Sequence, residues 1–264
     1  MKTNKFLLGL LAVATLFVVG CAADDTADVT INQGGGSNPI NPSDLVIGGT
    51  LSENLTLSTG NEYNLTSGLI VPEGITLTIE PGVIVRANTS SDVYVAIQQG
   101  GVINAEGTSS NPIVFTSNSA TPNPGDWGGL IVLGRAPINS VVGGDATSTS
   151  EIGGLPYGGS IADDDSGIIR YVRIEYSGGA ADAASENNGF SFYGVGSGTT
   201  IDFIQAFEGA DDGVEFFGGT VNASHISVVG AQDDSVDWTE GFTGTLTDVY
   251  IEHRQSHDKG IEGD

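Results

Sequence analysis

From Leu45 onward the chain alternates apolar and polar positions in brief runs, such as Ile75-Thr76-Leu77-Thr78-Ile79, Val83-Ile84-Val85 and Val93-Tyr94-Val95-Ala96-Ile97. Gly, Asn, Asp and Pro bound these runs. A period of two describes a strand with one face turned inward. No segment keeps the 3.6-residue helical period for three turns. The pattern predicts an all-β protein, and at this level a sandwich, a barrel and a solenoid all fit.

A repeat separates them. Asn187-Asn188-Gly189-Phe190-Ser191-Phe192 aligns with Asp211-Asp212-Gly213-Val214-Glu215-Phe216, with Asp233-Asp234-Ser235-Val236-Asp237-Trp238 and with Asp258-Lys259-Gly260-Ile261-Glu262-Gly263, at spacings of 22 to 25 residues. A second strand keeps step: Val172-Arg173-Ile174, Ile204-Gln205-Ala206, Ile226-Ser227-Val228 and Val249-Tyr250-Ile251. Strand-and-turn repeats of this length predict a β-solenoid whose coils stack about 4.8 Å apart. Phe190, Val214, Val236 and Ile261 are then expected in one inward file. Phe192, Phe216 and Trp238 form the next, closed by Gly263. Ser191, Glu215, Asp237 and Glu262 lie between them and are expected to point outward.

Three stretches break the spacing: 118–126, 139–167 and 178–188, rich in Gly, Ala, Ser, Asp and Asn. They read as loops projecting from the solenoid, either binding surfaces or passive insertions.

Ile75 to Val83 and Gly101 to Thr108, followed by Asn111-Pro112-Ile113-Val114-Phe115-Thr116-Ser117, resemble early coils of secreted right-handed parallel β-helix proteins of pectin-lyase-like type. Gly125-Asp126-Trp127-Gly128-Gly129-Leu130 and Tyr193-Gly194-Val195-Gly196-Ser197-Gly198-Thr199 are similar to a group of β-helix outer-membrane lipoproteins of largely unassigned function. The resemblance spans about Leu45 to Asp264. It implies a right-handed parallel β-helix and supplies no catalytic assignment.

The N-terminus reads as a targeting segment. Lys2 and Lys5 precede an apolar run from Phe6 to Val19, short for a membrane span. Val18-Val19-Gly20-Cys21 resembles a bacterial lipobox, and Cys21 is the only cysteine. The expectation is a signal peptide over 1–20, acylation of Cys21, a flexible acidic and then Gly/Ser/Pro/Asn-rich tether over 21–44, and a β-helix over 45–264. Acidic residues behind Cys21 look like the surface-export signal of some outer-membrane lipoproteins. The last repeat ends at Asp264 with no cap, and a longer parent protein is expected on that ground.

Composition narrows the partners. The 264 residues carry 33 Asp and Glu against 8 Lys and Arg, a net charge of -25. Nucleic acid is excluded for want of clustered cations. Anionic glycans and anionic lipid surfaces are disfavoured unless Ca²⁺ bridges. A single cysteine excludes disulfide scaffolds and multi-cysteine metal sites.

The candidate chemistry lies in the acidic columns. Asp211, Asp233 and Asp258 repeat, as do Glu215, Asp237 and Glu262. Two bare carboxylates one coil apart repel by about 0.9 kcal/mol in water and by more near a protein surface. Ca²⁺, protonation or Lys259 would offset this, and Ca²⁺ suits carboxylates from adjacent coils with loop carbonyls. A hydrated acidic face is the simpler reading. Asp163-Asp164-Asp165 is a weaker site of the same kind. Adjacent coils also place carboxylates near the separation of a retaining glycosidase, which makes Asp211, Asp212, Asp233, Asp234, Glu215 and Asp237 alternative catalytic residues. The Asp-Asp pairs resemble the double aspartate of polygalacturonase-type hydrolases, but that family's other motifs do not follow in order. The pair also reads as a turn used once per coil.

His253, Arg254, His257 and Lys259 supply residue types suited to a lyase. His253 and His257 lack a helical scaffold for zinc. His225, in an alternating strand, reads as structural. Trp127 and Tyr157 are candidate sugar-stacking platforms, with Trp127 covering a coil edge as the alternative. The reading preferred on sequence is a non-catalytic binding or structural module at the cell surface, taking neutral glycan or a protein partner. A carbohydrate-active hydrolase or lyase is the competing reading.

Overall fold

The computed structural model describes residues 45–140, 146–180, 186–254 and 256–263. The leader, Cys21 and the tether lie outside the described residues. Eighteen strands are formed: β1 (Val46–Thr50), β2 (Leu55–Leu57), β3 (Glu62–Val71), β4 (Thr76–Ile79), β5 (Ile84–Ala87), β6 (Val95–Ile97), β7 (Val102–Glu106), β8 (Ile113–Ser117), β9 (Leu130–Leu133), β10 (Thr147–Thr149), β11 (Pro156–Gly158), β12 (Gly167–Glu175), β13 (Phe190–Tyr193), β14 (Thr200–Phe207), β15 (Val214–Phe217), β16 (Ala223–Val229), β17 (Val236–Thr239) and β18 (Leu246–Glu252). Sixteen of them join in one continuous sheet, and β10 and β11 form a separate antiparallel pair. Every pairing in the large sheet is parallel, so the chain winds as a parallel β-helix.

The register follows the repeat. Phe190 pairs with Val214, Val214 with Val236, and Val236 with Ile261. Phe192 pairs with Phe216, and Phe216 with Trp238. The second strand obeys its own alignment, Val172 on Ile204 on Ile226 on Val249. Like residues stack because each coil offers the next the same groove. The rings of Phe192 and Phe216 lie 5.2 Å apart, and Phe242 joins them at 4.7 Å from Phe216. Phe190, Phe192 and Phe216 are fully buried. Gly263 closes the file: a side chain there would strike the Trp238 indole.

The corner between two faces of the coil is set by backbone. Strand β12 lies over β7 through its first half, Gly167 on Ile103 to Arg170 on Glu106, and over β8 through its second, Val172 on Ile113. Between the halves Tyr171 has φ 49°. Phe203, His225 and Asp248 stand at the same point of β14, β16 and β18, with φ of 51°, 53° and 55°. An isolated left-handed residue costs roughly 1–2 kcal/mol. Stacking at the corner offsets part of that: Tyr171 and Phe203 are 4.4 Å apart, and Phe203 and His225 4.0 Å. His225 therefore sits at an exposed bend, not in a strand's alternating row, with Nδ1 2.9 Å from Asp202.

Within the stretch 139–167, the described residues from 146 to 157 do not simply project. Ile138, Ala146, Ile152 and Tyr157 fold back onto Ala96, Ile131, Leu133, Tyr193 and Phe217, the outward side of β6, β9, β13 and β15. Both faces of Leu130–Leu133 and Phe190–Tyr193 are buried in consequence. A second apolar layer thus lies outside the coil, beside the acidic column.

Candidate functional site

The repeated pairs occupy the turns leading into β13, β15 and β17, Asn187-Asn188, Asp211-Asp212 and Asp233-Asp234, and Glu215 and Asp237 follow within β15 and β17. Gly189 N donates to Asp212 O at 2.9 Å, Gly213 N to Asp234 O at 3.0 Å and Ser235 N to Lys259 O at 3.0 Å. The turns stack this closely only because the third position is small. A side chain at Gly213 would reach within 2.7 Å of Ser235 O. Side chains extend the ladder. Asp212 Oδ1 accepts the N–H of Asp234 at 2.8 Å, and Asp234 Oδ1 accepts that of Lys259 at 2.6 Å. The second aspartate of each pair is therefore a turn acceptor for the coil that follows.

The first aspartates remain on the outer side: Asp211 is half-buried, and Asp233 and Asp258 are exposed. Among the described residues, three groups of carboxylates bring one oxygen each to within 4.8 Å of one another: Asp211 with Asp212 and Asp233; Asp212 with Glu215 and Asp237; Asp233 with Asp234 and Asp258. Glu262 joins none of these. It pairs with Lys259 at 3.1 Å, and Lys259 also holds Asp258 at 2.5 Å, so the last coil carries its own cation as the repeat suggested.

The outward row is not a freely hydrated face. Ser191, Glu215 and Asp237 are in register, yet Ser191 is buried and the other two are half-buried. Asn188 is buried beside them, with Nδ2 2.5 Å from Glu215 Oε2. Burial, with Asp212 and Asp237 nearby, pushes the Glu215 carboxyl up to about 10. Burial and Asp211 raise Asp212 to about 8. Burial, with Glu186, Asp233 and Glu151, raises Asp211 to about 7. Burial and a hydrogen bond with Glu262 raise Asp234 to about 6. Protonation, one of the three means of relief expected for the column, is favoured at these groups.

Glu151 and Glu186 come from the two longer insertions and were not singled out in the repeat. Both act electrostatically on Asp211, and Glu151 also on Glu215. The insertions thus converge on the acidic turn and add to its charge. Asn188 was visible as the equivalent of Asp212 and Asp234, but its place among carboxylates was not drawn from the alignment.

Other sequence candidates fall elsewhere. Trp127 is fully buried, donates Nε1–H to Glu175 O at 2.8 Å and stacks on Phe115. Tyr157 is 2% exposed, its ring 4.8 Å from that of Tyr193 and its hydroxyl donating to Glu240 at 2.8 Å. Neither offers a ring face to a sugar, which corrects their reading as platforms: Trp127 plugs a coil, and Tyr157 fastens the folded-back insertion. In the 163–165 run, Asp164 accepts the N–H of Arg135 and Asp165 that of Gly167, so two of the three carboxylates serve turns. His253 and His257 are exposed, their rings 4.0 Å apart, and they join no metal-holding group among the described residues.

A family model described as a pectate-lyase like beta helix domain matches residues 49–264. No curated protein and no solved structure matches the chain.

Proposed function

Since the chain belongs to the pectate-lyase-like β-helix domain family, we propose that it is a carbohydrate-binding module whose ligand is taken at the acidic turn around Asp211 and Asp233. The carrying observation is the convergence there of two insertions on a row of carboxylates in which Asp233 is exposed and Asp211 half-buried. Carboxylates accept paired sugar hydroxyls as charge-assisted hydrogen bonds, each stronger than a neutral one. A net charge of -25 favours a neutral glycan over an anionic one. The leader and Cys21 support anchorage by acyl chains at the outer membrane, facing outward.

Cleavage is the second reading. Asp211, held near 7, stands within 4.8 Å of an oxygen of Asp233, close to the separation of a retaining pair. Against it, Asp212 and Asp234 each commit an oxygen to the next coil's backbone. A glycan array with and without EDTA, run beside a reducing-end release assay, tests both. Binding without release, weakened by Asp211→Asn and Asp233→Asn, is expected. Release abolished by Asp211→Asn or Asp237→Asn would replace binding with hydrolysis, and no glycan retained on the array would end the proposal.

A further inference from the structure

We infer that the outer side of β14, β16 and β18 is a second sugar-binding site, a shallow trough that takes a neutral glycan and ends on the ring of Tyr250. Gln205, Ser227 and Tyr250 stand in register on consecutive coils, and Arg173 begins the row one coil earlier. Gln205 and Ser227 alternate with the buried Ile204, Ala206, Ile226 and Val228, so the row points outward.

The row is walled on both sides. One wall is the corner stack, where Phe203 is 36% exposed and His225 lies beside it. The other is Phe207, with the guanidinium carbon of Arg173 4.4 Å and that of Arg254 5.0 Å from its ring centre. Arg254 is itself fastened to Glu208 and, at 3.3 Å, to Glu252. The walls stand four residues apart along β14, about 13 Å at the rise of a strand, and the three coil steps from Arg173 to Tyr250 give about 14 Å of length. The floor is Gln205 and Ser227, whose side chains are joined at 3.0 Å and carry no charge.

Single aromatics on a surface need no ligand to explain them, but these are not required by the fold. Asp248 makes the same left-handed bend as Phe203 and His225 without a ring. Tyr250 is 56% exposed, and no ring among the described residues stacks on it. Its hydroxyl donates to Glu252 at 3.1 Å, which restrains the side chain and leaves the ring open to solvent. That is the platform which the covered rings of Trp127 and Tyr157 do not provide.

A pyranose has a face of C–H groups and a rim of hydroxyls. The Tyr250 ring suits the first, and the Gln205 amide and Ser227 hydroxyl, each able to donate and accept, suit the second. Restrained side chains lose little freedom on binding. An uncharged floor on a chain of net charge -25 favours a neutral sugar over a uronate. Asp211 follows Phe207 by four residues, past the left-handed bend at Glu208, so the trough does not include the acidic turn and binds whether or not that turn does.

The test is calorimetric titration of the chain with cellohexaose, mannohexaose and maltohexaose, hexagalacturonate being the charged control. Saturable binding of at least one neutral hexaose is expected. Tyr250→Ala should weaken it by at least about tenfold, and Tyr250→Phe, which keeps the ring, should retain most of the affinity. Ser227→Arg, which fills the floor, should abolish it, and decides the matter if Tyr250→Ala does not fold. Asp211→Asn with Asp233→Asn should leave the Tyr250-dependent affinity within about twofold. No saturable heat from any neutral hexaose up to about 10 mM overturns the site, as does tighter binding of hexagalacturonate. So does affinity that Tyr250→Ala and Ser227→Arg leave intact. If that affinity is instead lost with Asp211→Asn and Asp233→Asn, the trough falls and the functional proposal at the acidic turn stands.

Discussion

The carboxylate of Asp212 accepts, at 2.8 Å, the backbone N–H of Asp234, the residue that occupies its own position one coil later. Asp234 then does the same for Lys259. The repeated pair is thus built into the stacking of turns, each buried carboxyl satisfying a donor that the sheet ladder leaves over.

Removal of that acceptor should be costly, and removal of its charge should not be. Asp212→Ala strands a buried N–H and is expected to lower stability by about 1–3 kcal/mol. Asp212→Asn keeps an oxygen at the same place and relieves repulsion from Asp211 and Asp237, so at pH 8 in EDTA it should match or exceed the wild type. Denaturant midpoints of the two variants give the comparison. Equal losses would mean that the charge, and not the acceptor, holds the turn.

The interior aromatic file makes a second claim. Phe216 is fully buried between Phe192 and Phe242. Phe216→Ala should cost about 3–5 kcal/mol, the range for truncating a buried aromatic in a core that relaxes only in part. Phe216→Leu should cost less, because most of the volume remains. Urea unfolding read by intrinsic fluorescence of Trp238, one coil above, is the measurement.

The solenoid register was legible because it rests on side chains. Phe190, Val214 and Val236 are buried in one file, and the same alignment pairs Ile261 with Val236, although Ile261 is 54% exposed and so is not the inward residue the repeat predicted. The corner was not legible, since what Tyr171, Phe203, His225 and Asp248 have in common is a left-handed backbone angle, which no residue type shared by all four marks, although the first three stack their rings. Trp127 and Tyr157 misled for a related cause: an aromatic in a Gly-rich stretch looks exposed until something is known to cover it. The covering did leave a trace. Leu130-Ile131-Val132-Leu133 fails to alternate, as a strand buried on both faces does. In the candidate site the coil-borne acids were readable from the repeat, whereas Glu151 and Glu186 sit in insertions that have no period.

The corrected roles of the two aromatics lead to a third prediction. Tyr157→Phe keeps the stack on Tyr193 and loses the hydroxyl given to Glu240, at a cost of about 0.5–1.5 kcal/mol. Amide exchange over 146–160 should quicken in this variant, while exchange in β13 and β15 stays slow. Glycan binding should not change, nor should it in Trp127→Phe, which loses an interior hydrogen bond to Glu175 and part of the buried indole's volume. A loss of glycan binding confined to either aromatic variant, with folding intact, would return that residue to the ligand surface.

The raised carboxyls set the direction of the pH dependence. Glu215 is held near 10 and Asp212 near 8, both above their unfolded values of about 4. In that interval the folded chain keeps protons that the unfolded chain has released. Stability from this source is complete below about pH 4 and falls as pH rises, by about 1.4 kcal/mol per unit for each proton retained, until the folded values are passed. Asp202 acts in the opposite sense. Its hydrogen bonds from Ser224, His225 and Arg170 outweigh burial and lower it, so its contribution is lost only in acid, below about pH 4. In EDTA, stability should therefore decline from pH 5 to pH 9, and Glu215→Gln, which carries no ionisable proton, should flatten the decline. Denaturation midpoints at four pH values for both proteins decide the matter: a wild-type profile that rises over this range, or one that Glu215→Gln leaves unaltered, would show that the carboxyl is already ionised in the folded coil.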